Sequence, residues 1–99
     1  MKSYVEVVAE DRRLALLRIL ARAPGYAANE SVLHVALRGL GHLVSRDTIR
    51  TDLAWLDEQG LVGLTLVVEV TVAELTRRGA DVAEGLAVVP GVKRPSPRS

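Results

Sequence analysis

Residues 44–62, VSRDTIRTDLAWLDEQGLV, hold a helix between two well-marked ends. Ser45 is a hydroxyl residue of the kind that caps a helix N-terminus, and Gly60 is the residue type that turns the chain out of one most readily. Between them Ile49, Leu53 and Leu56 recur at i, i+4 and i+7, which makes one narrow face apolar. An apolar, β-branched run follows Gly60 at once. A fold built on this stretch must bury one side of the helix, leave the other in solvent, and begin a sheet at its exit.

The flanking sequence supplies what that helix packs against. Ser3 followed by Glu6 has the spacing of a capping box, and a first helix from about Ser3 to Ala23 places Leu14, Leu17, Leu20 and Ala21 on one stripe. Leu16 lies at the stripe's edge, and Arg18 and Arg22 lie outside it. Ile19 falls on the opposite side, as a second contact surface or as part of a ragged stripe covered by the tail. Pro24 and Gly25 stop the helix. Asn29 then caps a second helix to about Leu40, with Val32, Leu33, Ala36, Leu37 and Leu40 as its apolar face. Gly39 and Gly41 permit a tight turn before Ser45.

After the third helix, LVGLTLVV and VTVAEL predict two short strands with a bend near Val68 and Glu69. Thr76 caps a short fourth helix that ends near Gly85. The order predicts a mainly α chain with a small β-hairpin: a winged helix-turn-helix with a three-helix core, a two-stranded wing and a short closing helix. Residues 1–87 form that domain, and residues 88–99 form a Pro-rich basic C-terminal tail.

A chain of 99 residues has room for one such domain. Lys93, Arg94 and Arg98 lie in the tail, leaving ten basic against twelve acidic residues elsewhere. A nearly neutral body argues against strong, sequence-blind DNA affinity, which comes from neutralising phosphates. The chain has no cysteine and two histidines, His34 and His42, so neither a metal nor a cofactor is expected. No Gly-rich phosphate loop or nucleophile constellation points to an enzyme. No apolar run approaches membrane-spanning length and no export signal opens the chain, so a soluble cytoplasmic protein is expected.

On a helical wheel Asp47, Thr51, Ala54 and Glu58 face outward, with Arg46, Arg50 and Asp57 on one flank and Thr48, Asp52 and Trp55 on the other. In a helix-turn-helix the start of this helix enters the major groove. Ser45, Arg46, Thr48, Arg50 and Thr51 are therefore the candidate DNA contacts. The alternative is a solvated face on which Asp47 and Asp52 pair with the two arginines. Arg77 and Arg78, where the wing meets the last helix, and Lys93, Arg94 and Arg98 in the tail are further phosphate candidates; free surface charge is the other reading of each. Trp55 together with Val67, Val68 and Val70 of the wing is a candidate protein interface. The wing strands can pair edge to edge with a second copy or simply cover the helices, and Trp55 can instead pack on helix two, the N-terminal arm or residues 88–92.

Ser45, Thr48, Ile49, Arg50, Asp52, Leu53, Leu56, Gly60 and Leu61 resemble the helix-turn-helix of DeoR-like bacterial transcriptional regulators. Thr51 stands where that pattern has a second arginine, and Trp55 where it has a polar residue. The longer stretches DRRLALLRILARAPGYAANESVLHVALRGLGHLVSRDTIRTDLAWLDEQGLV, LTRRGADVAEG and VVPGVKRPSP resemble a family of small proteins of Mu-like phages and prophages. These resemblances imply a winged-helix fold, a phage or prophage origin and residence in a bacterial host cell. They lead to the expectation of a DNA-binding transcriptional regulator that places helix 45–59 in the major groove of double-stranded DNA, as a homodimer. The alternative is a protein–protein interaction module of the same fold, with a phage protein partner in DNA packaging or assembly.

Overall fold

The computed structural model describes residues 1–96. Among them are four α-helices, α1 Tyr4–Arg22, α2 Glu30–Gly39, α3 Arg46–Glu58 and α4 Arg77–Ala83, with strands β1 Ala27–Asn29, β2 Val62–Val67 and β3 Val70–Leu75. The strands form one antiparallel sheet in the order β1-β3-β2. Every helix begins at a side-chain cap. Ser3 and Glu6 complete a capping box at α1, and Asn29, Ser45 and Thr76 each accept a hydrogen bond from a backbone N–H in the first turn of α2, α3 and α4.

The core is built from leucines at helical spacing. Leu14, Leu16, Leu17 and Leu20 of α1 meet Leu33 and Leu37 of α2, Ile49, Leu53 and Leu56 of α3, and Leu61, Val62, Ala73 and Val82 beyond them. Leu16, expected at the edge of its stripe, is fully buried. Helix α1 is covered by α4 as well as by α2 and β3, and that widens its buried arc. The face of α2 is narrower than expected: Val32 and Leu40 are more than half exposed, because α1 and α3 cover only the side holding Leu33 and Leu37.

The expected two-stranded sheet has a third strand. After Pro24, Gly25 and Tyr26 adopt φ of 66° and 57° and redirect the chain into β1. That strand pairs Ala27 with Glu74, Ala28 with Ala73 and Asn29 with Val72. A three-residue Ala-Ala-Asn strand carries no β-branched or alternating signal, and its neighbour β3 lies more than forty positions away.

At its other end α3 closes with a Schellman motif. The N–H of Leu61 donates to Leu56 O and that of Gly60 to Asp57 O, with Gly60 at φ 75°. Thr76 then ties the sheet back to this exit: its hydroxyl donates to Gly60 O at 2.7 Å and its N–H to Leu61 O at 3.1 Å. The approach is so close that a Cβ on Gly79 would lie 2.0 Å from Leu61 O. The core also continues past residue 87. Val89 and Val92 are buried, and the N–H of Lys93 donates to Glu10 O on α1.

Strands β2 and β3 pair from Val62–Leu75 to Val67–Val70, which leaves Val68 and Glu69 as a two-residue turn. Both have positive φ, 48° and 64°. That is the backbone of a type I′ turn, which favours Asn-Gly, and an L residue there costs roughly 1–2 kcal/mol. The double substitution Val68→Asn, Glu69→Gly relieves this strain without touching the core. We expect it to raise the thermal midpoint by about 4–8 °C per kcal/mol recovered, as read by circular dichroism.

Candidate nucleic-acid interface

Two carboxylates among the described residues are buried, and both fix α3. Asp52, 2% exposed, is gripped from α1: Arg12 donates to it through Nε and, at 3.2 Å, through Nη2. Arg13 places Nε 3.5 Å from Asp52 Oδ1. Asp52 therefore lies neither on the outer face of α3 nor beside Arg46 and Arg50. Its position one turn before Leu56 points it at α1, where the Arg12 fork replaces water it has lost and the Arg13 charge lies alongside. The same Arg13 stacks 4.4 Å above the Trp55 ring and donates through Nη1 to Gly91 O at 2.9 Å.

Trp55 is thus half-buried, under Arg13 and the 89–92 segment. A Cβ on Gly91 would come 2.5 Å from the indole, and φ there is 103°, so this crossing has room only for glycine.

Glu30, the first residue of α2 and 2% exposed, is the second carboxylate. Arg50 donates to it through Nε at 3.0 Å and Nη2 at 2.8 Å. This fork holds the Glu30 carboxyl below its ordinary value of 4.5 against the opposing effect of burial, and it raises Arg50 in turn. The neighbouring Ser31 accepts from Arg46 Nη2 at 2.7 Å. Both arginines of α3 are steered by consecutive residues of α2, not by acids on their own helix.

With Asp52 withdrawn, the first two turns of α3 expose Arg46 and Arg50 against Asp47 alone, and the other exposed acids, Asp57 and Glu58, lie in its last turn. Asp47, near the helix N-terminus, is where the helix dipole favours a negative charge. Ser45 is exposed and spends its oxygen on the Thr48 N–H; the two hydroxyls also lie 3.1 Å apart. Thr51 donates to Asp47 O. Ser45, Arg46, Thr48, Arg50 and Thr51 therefore lie at one end of α3, with Arg46 and Arg50 on one flank and half-buried Thr48 on the other.

The remaining candidates lie elsewhere. Arg77 and Arg78 are exposed next to Thr76, which is bonded to Gly60, so they sit at the opposite end of α3, roughly 20 Å away at 1.5 Å per residue. Lys93 is exposed beside Asp11 of α1, 3.4 Å from its carboxylate, and Arg94 follows it in solvent. Arg98 lies outside the described residues. Val67 and Val68 are exposed at the hairpin end with Leu66, while Val70 is half-buried.

Sequence reasoning missed Glu30, Ser31, Arg12 and Arg13. Glu30 carries only the local signal of an acid after a cap, and its partner is twenty positions away. The two histidines are engaged within the fold, His34 with Val44 O and His42 with Asp11, each at 2.9 Å. Among the described residues no cluster of metal-ligating side chains occurs, and no helix is long and apolar enough to cross a membrane.

Two outcomes follow from the buried carboxylates. Asp52→Ala strands the Arg12 guanidinium and removes the counter-charge beside Arg13, and should lower unfolding free energy by about 3–5 kcal/mol in urea titration. Glu30 has a depressed pKa when folded, so the stability it contributes is complete above about pH 4.5 and is lost as pH falls through the lower folded value. Denaturant midpoints measured from pH 6 to pH 3 should therefore fall more steeply for wild type than for Glu30→Gln.

No family model matches the chain. It is 49% identical to the uncharacterized protein gp26 of Escherichia phage Mu over 94 residues, covering 95% of this chain and 97% of the relative. It is 44% identical to an uncharacterized protein of Haemophilus influenzae over 77 residues, covering 77% of this chain and 74% of that protein.

Proposed function

The chain belongs to the family of the phage Mu protein gp26, and from that premise we propose that it is a winged-helix DNA-binding protein of a Mu-like phage or prophage. In this reading it is a transcriptional regulator that seats the first two turns of α3 in the major groove of duplex DNA. The observation that carries the proposal is the placement of Asp52. Its burial against Arg12 and Arg13 leaves Arg46, Arg50 and Thr51 exposed in the first two turns of α3, with Thr48 half-buried beside Ser45 and Asp47 as the one exposed acid of those turns.

The order of elements supports the same reading. Helix α2, a six-residue turn and α3 have the succession of a helix-turn-helix, and the β2–β3 hairpin follows where a wing would lie. Helix-turn-helix modules commonly bind as two-fold dimers on half-sites one DNA turn apart. A dimer is part of the proposal.

One observation favours a second reading, a protein-interaction module of the same fold in phage DNA packaging or assembly. Leu66, Val67 and Val68 are exposed at the hairpin end, and β2, an edge strand of the sheet, carries no charge. An uncharged edge is open to pairing with another chain.

Fluorescence anisotropy with labelled duplex separates the two. The DNA reading expects binding at about 50 mM salt, a linear fall of log affinity with log salt, and a slope shallower by about one for Arg46→Ala. Flat anisotropy for wild type at that salt overturns it.

A further inference from the structure

Arg50 uses only part of its hydrogen-bonding capacity within the fold. A guanidinium carries five N–H groups in one plane. Glu30 takes one from Nε and one from Nη2, so both N–H groups of Nη1 and the second of Nη2 remain. They meet no acceptor among the described residues, and half the side chain, 53%, is open to solvent.

Planarity fixes where they point. With the Nε–Nη2 edge turned to Glu30, the Nη1–Nη2 end becomes a second fork directed away from it. Glu30 itself is held by burial and by its place in the first turn of α2, so the direction of the outer fork is set before any ligand arrives. Ser31, at the next position, takes a single hydrogen bond from Arg46.

We propose that Glu30 is a positioning residue that presents the outer fork of Arg50 to a pair of adjacent acceptors on duplex DNA. Two sources share that chemistry: the O6 and N7 edge of guanine, and two oxygens of one phosphate. The inference rests on the DNA-binding reading above and adds to it a bidentate, pre-aimed contact. A long side chain loses rotamer freedom when a ligand fixes it; here the loss has been taken on folding.

Lysine at position 50 keeps the charge against Glu30 but has no fork. Glutamine at position 30 keeps the shape but removes one acceptor oxygen and the charge. The test measures wild type, Arg50→Lys, Glu30→Gln and the double variant on two labelled 20-base-pair duplexes, one of G·C pairs only and one of A·T pairs only, across a salt series.

Each single variant should weaken binding about tenfold, the scale of one bidentate contact. The double variant should be no weaker than the weaker single, since Glu30 has nothing to aim once the guanidinium is gone. The salt slope of Arg50→Lys should equal that of wild type, because the charge count is unchanged. A guanine contact shows as a wild-type preference for the G·C duplex that Arg50→Lys abolishes. A phosphate contact shows as equal weakening on both duplexes.

Binding that either Arg50→Lys or Glu30→Gln leaves within twofold of wild type on both duplexes overturns the inference and leaves the DNA reading standing. If Glu30→Gln fails to fold, Glu30→Asp, which keeps the charge and withdraws the carboxylate by one methylene, takes its place in the same comparison. A wild type that binds neither duplex overturns the DNA reading itself.

Discussion

The orientation of α3 depends on one buried carboxylate. Ile49, Leu53 and Leu56 mark the buried side of the helix by apolar contact, which is not directional. Asp52 adds a directional demand: it is buried and must meet charge-bearing donors or bear an unpaired charge in a dry interior. Arg12 and Arg13 meet it from α1. Arg13 then continues to Trp55 and to the carbonyl of Gly91, so one guanidinium joins α1, α3 and the C-terminal segment.

Glu30 works on the same helix from another side. Asp52 fixes which face of α3 turns inward, and Glu30 fixes where one of the outward side chains reaches. Replacing such pairs with apolar residues can be neutral or stabilising, so their value lies in the single geometry they select. In this fold the selected geometry includes the exposed start of α3, where the two arginines are held by the first two residues of α2.

Local chemistry made much of this readable from the sequence. Ser3, Asn29, Ser45 and Thr76 mark the four helix starts because a cap is decided within three residues of the chain. The bend at Val68 and Glu69 lies between two strong β runs. What could not be read was set by distant partners. β1 exists because β3 is beside it, and Asp52 sits beside Arg50 in sequence yet pairs forty positions away. On the wheel Asp52 shares a flank with Thr48 and Trp55, and nothing local says that α1 brings two arginines there. The Arg50–Glu30 fork belongs to the same class, whereas the packing of Trp55 against residues 88–92 is one of the placements the sequence leaves open.

These placements bear on the difficulty raised by composition. A body with ten basic and twelve acidic residues has little long-range attraction for phosphate, and charge alone gives such a chain weak affinity. Burying Asp52 removes one acid from the outer surface of α3, and Glu30 is likewise inside. The exposed acids of α3 that remain besides Asp47 lie in its last turn, at the end away from Arg46 and Arg50. For a protein of this charge the proposed contact with DNA depends on few groups held in fixed directions, since each restrained donor contributes without a further loss of side-chain freedom. The acids that appear in the sequence to oppose DNA binding are, in the cases of Asp52 and Glu30, the groups that hold α3 and its arginine in place.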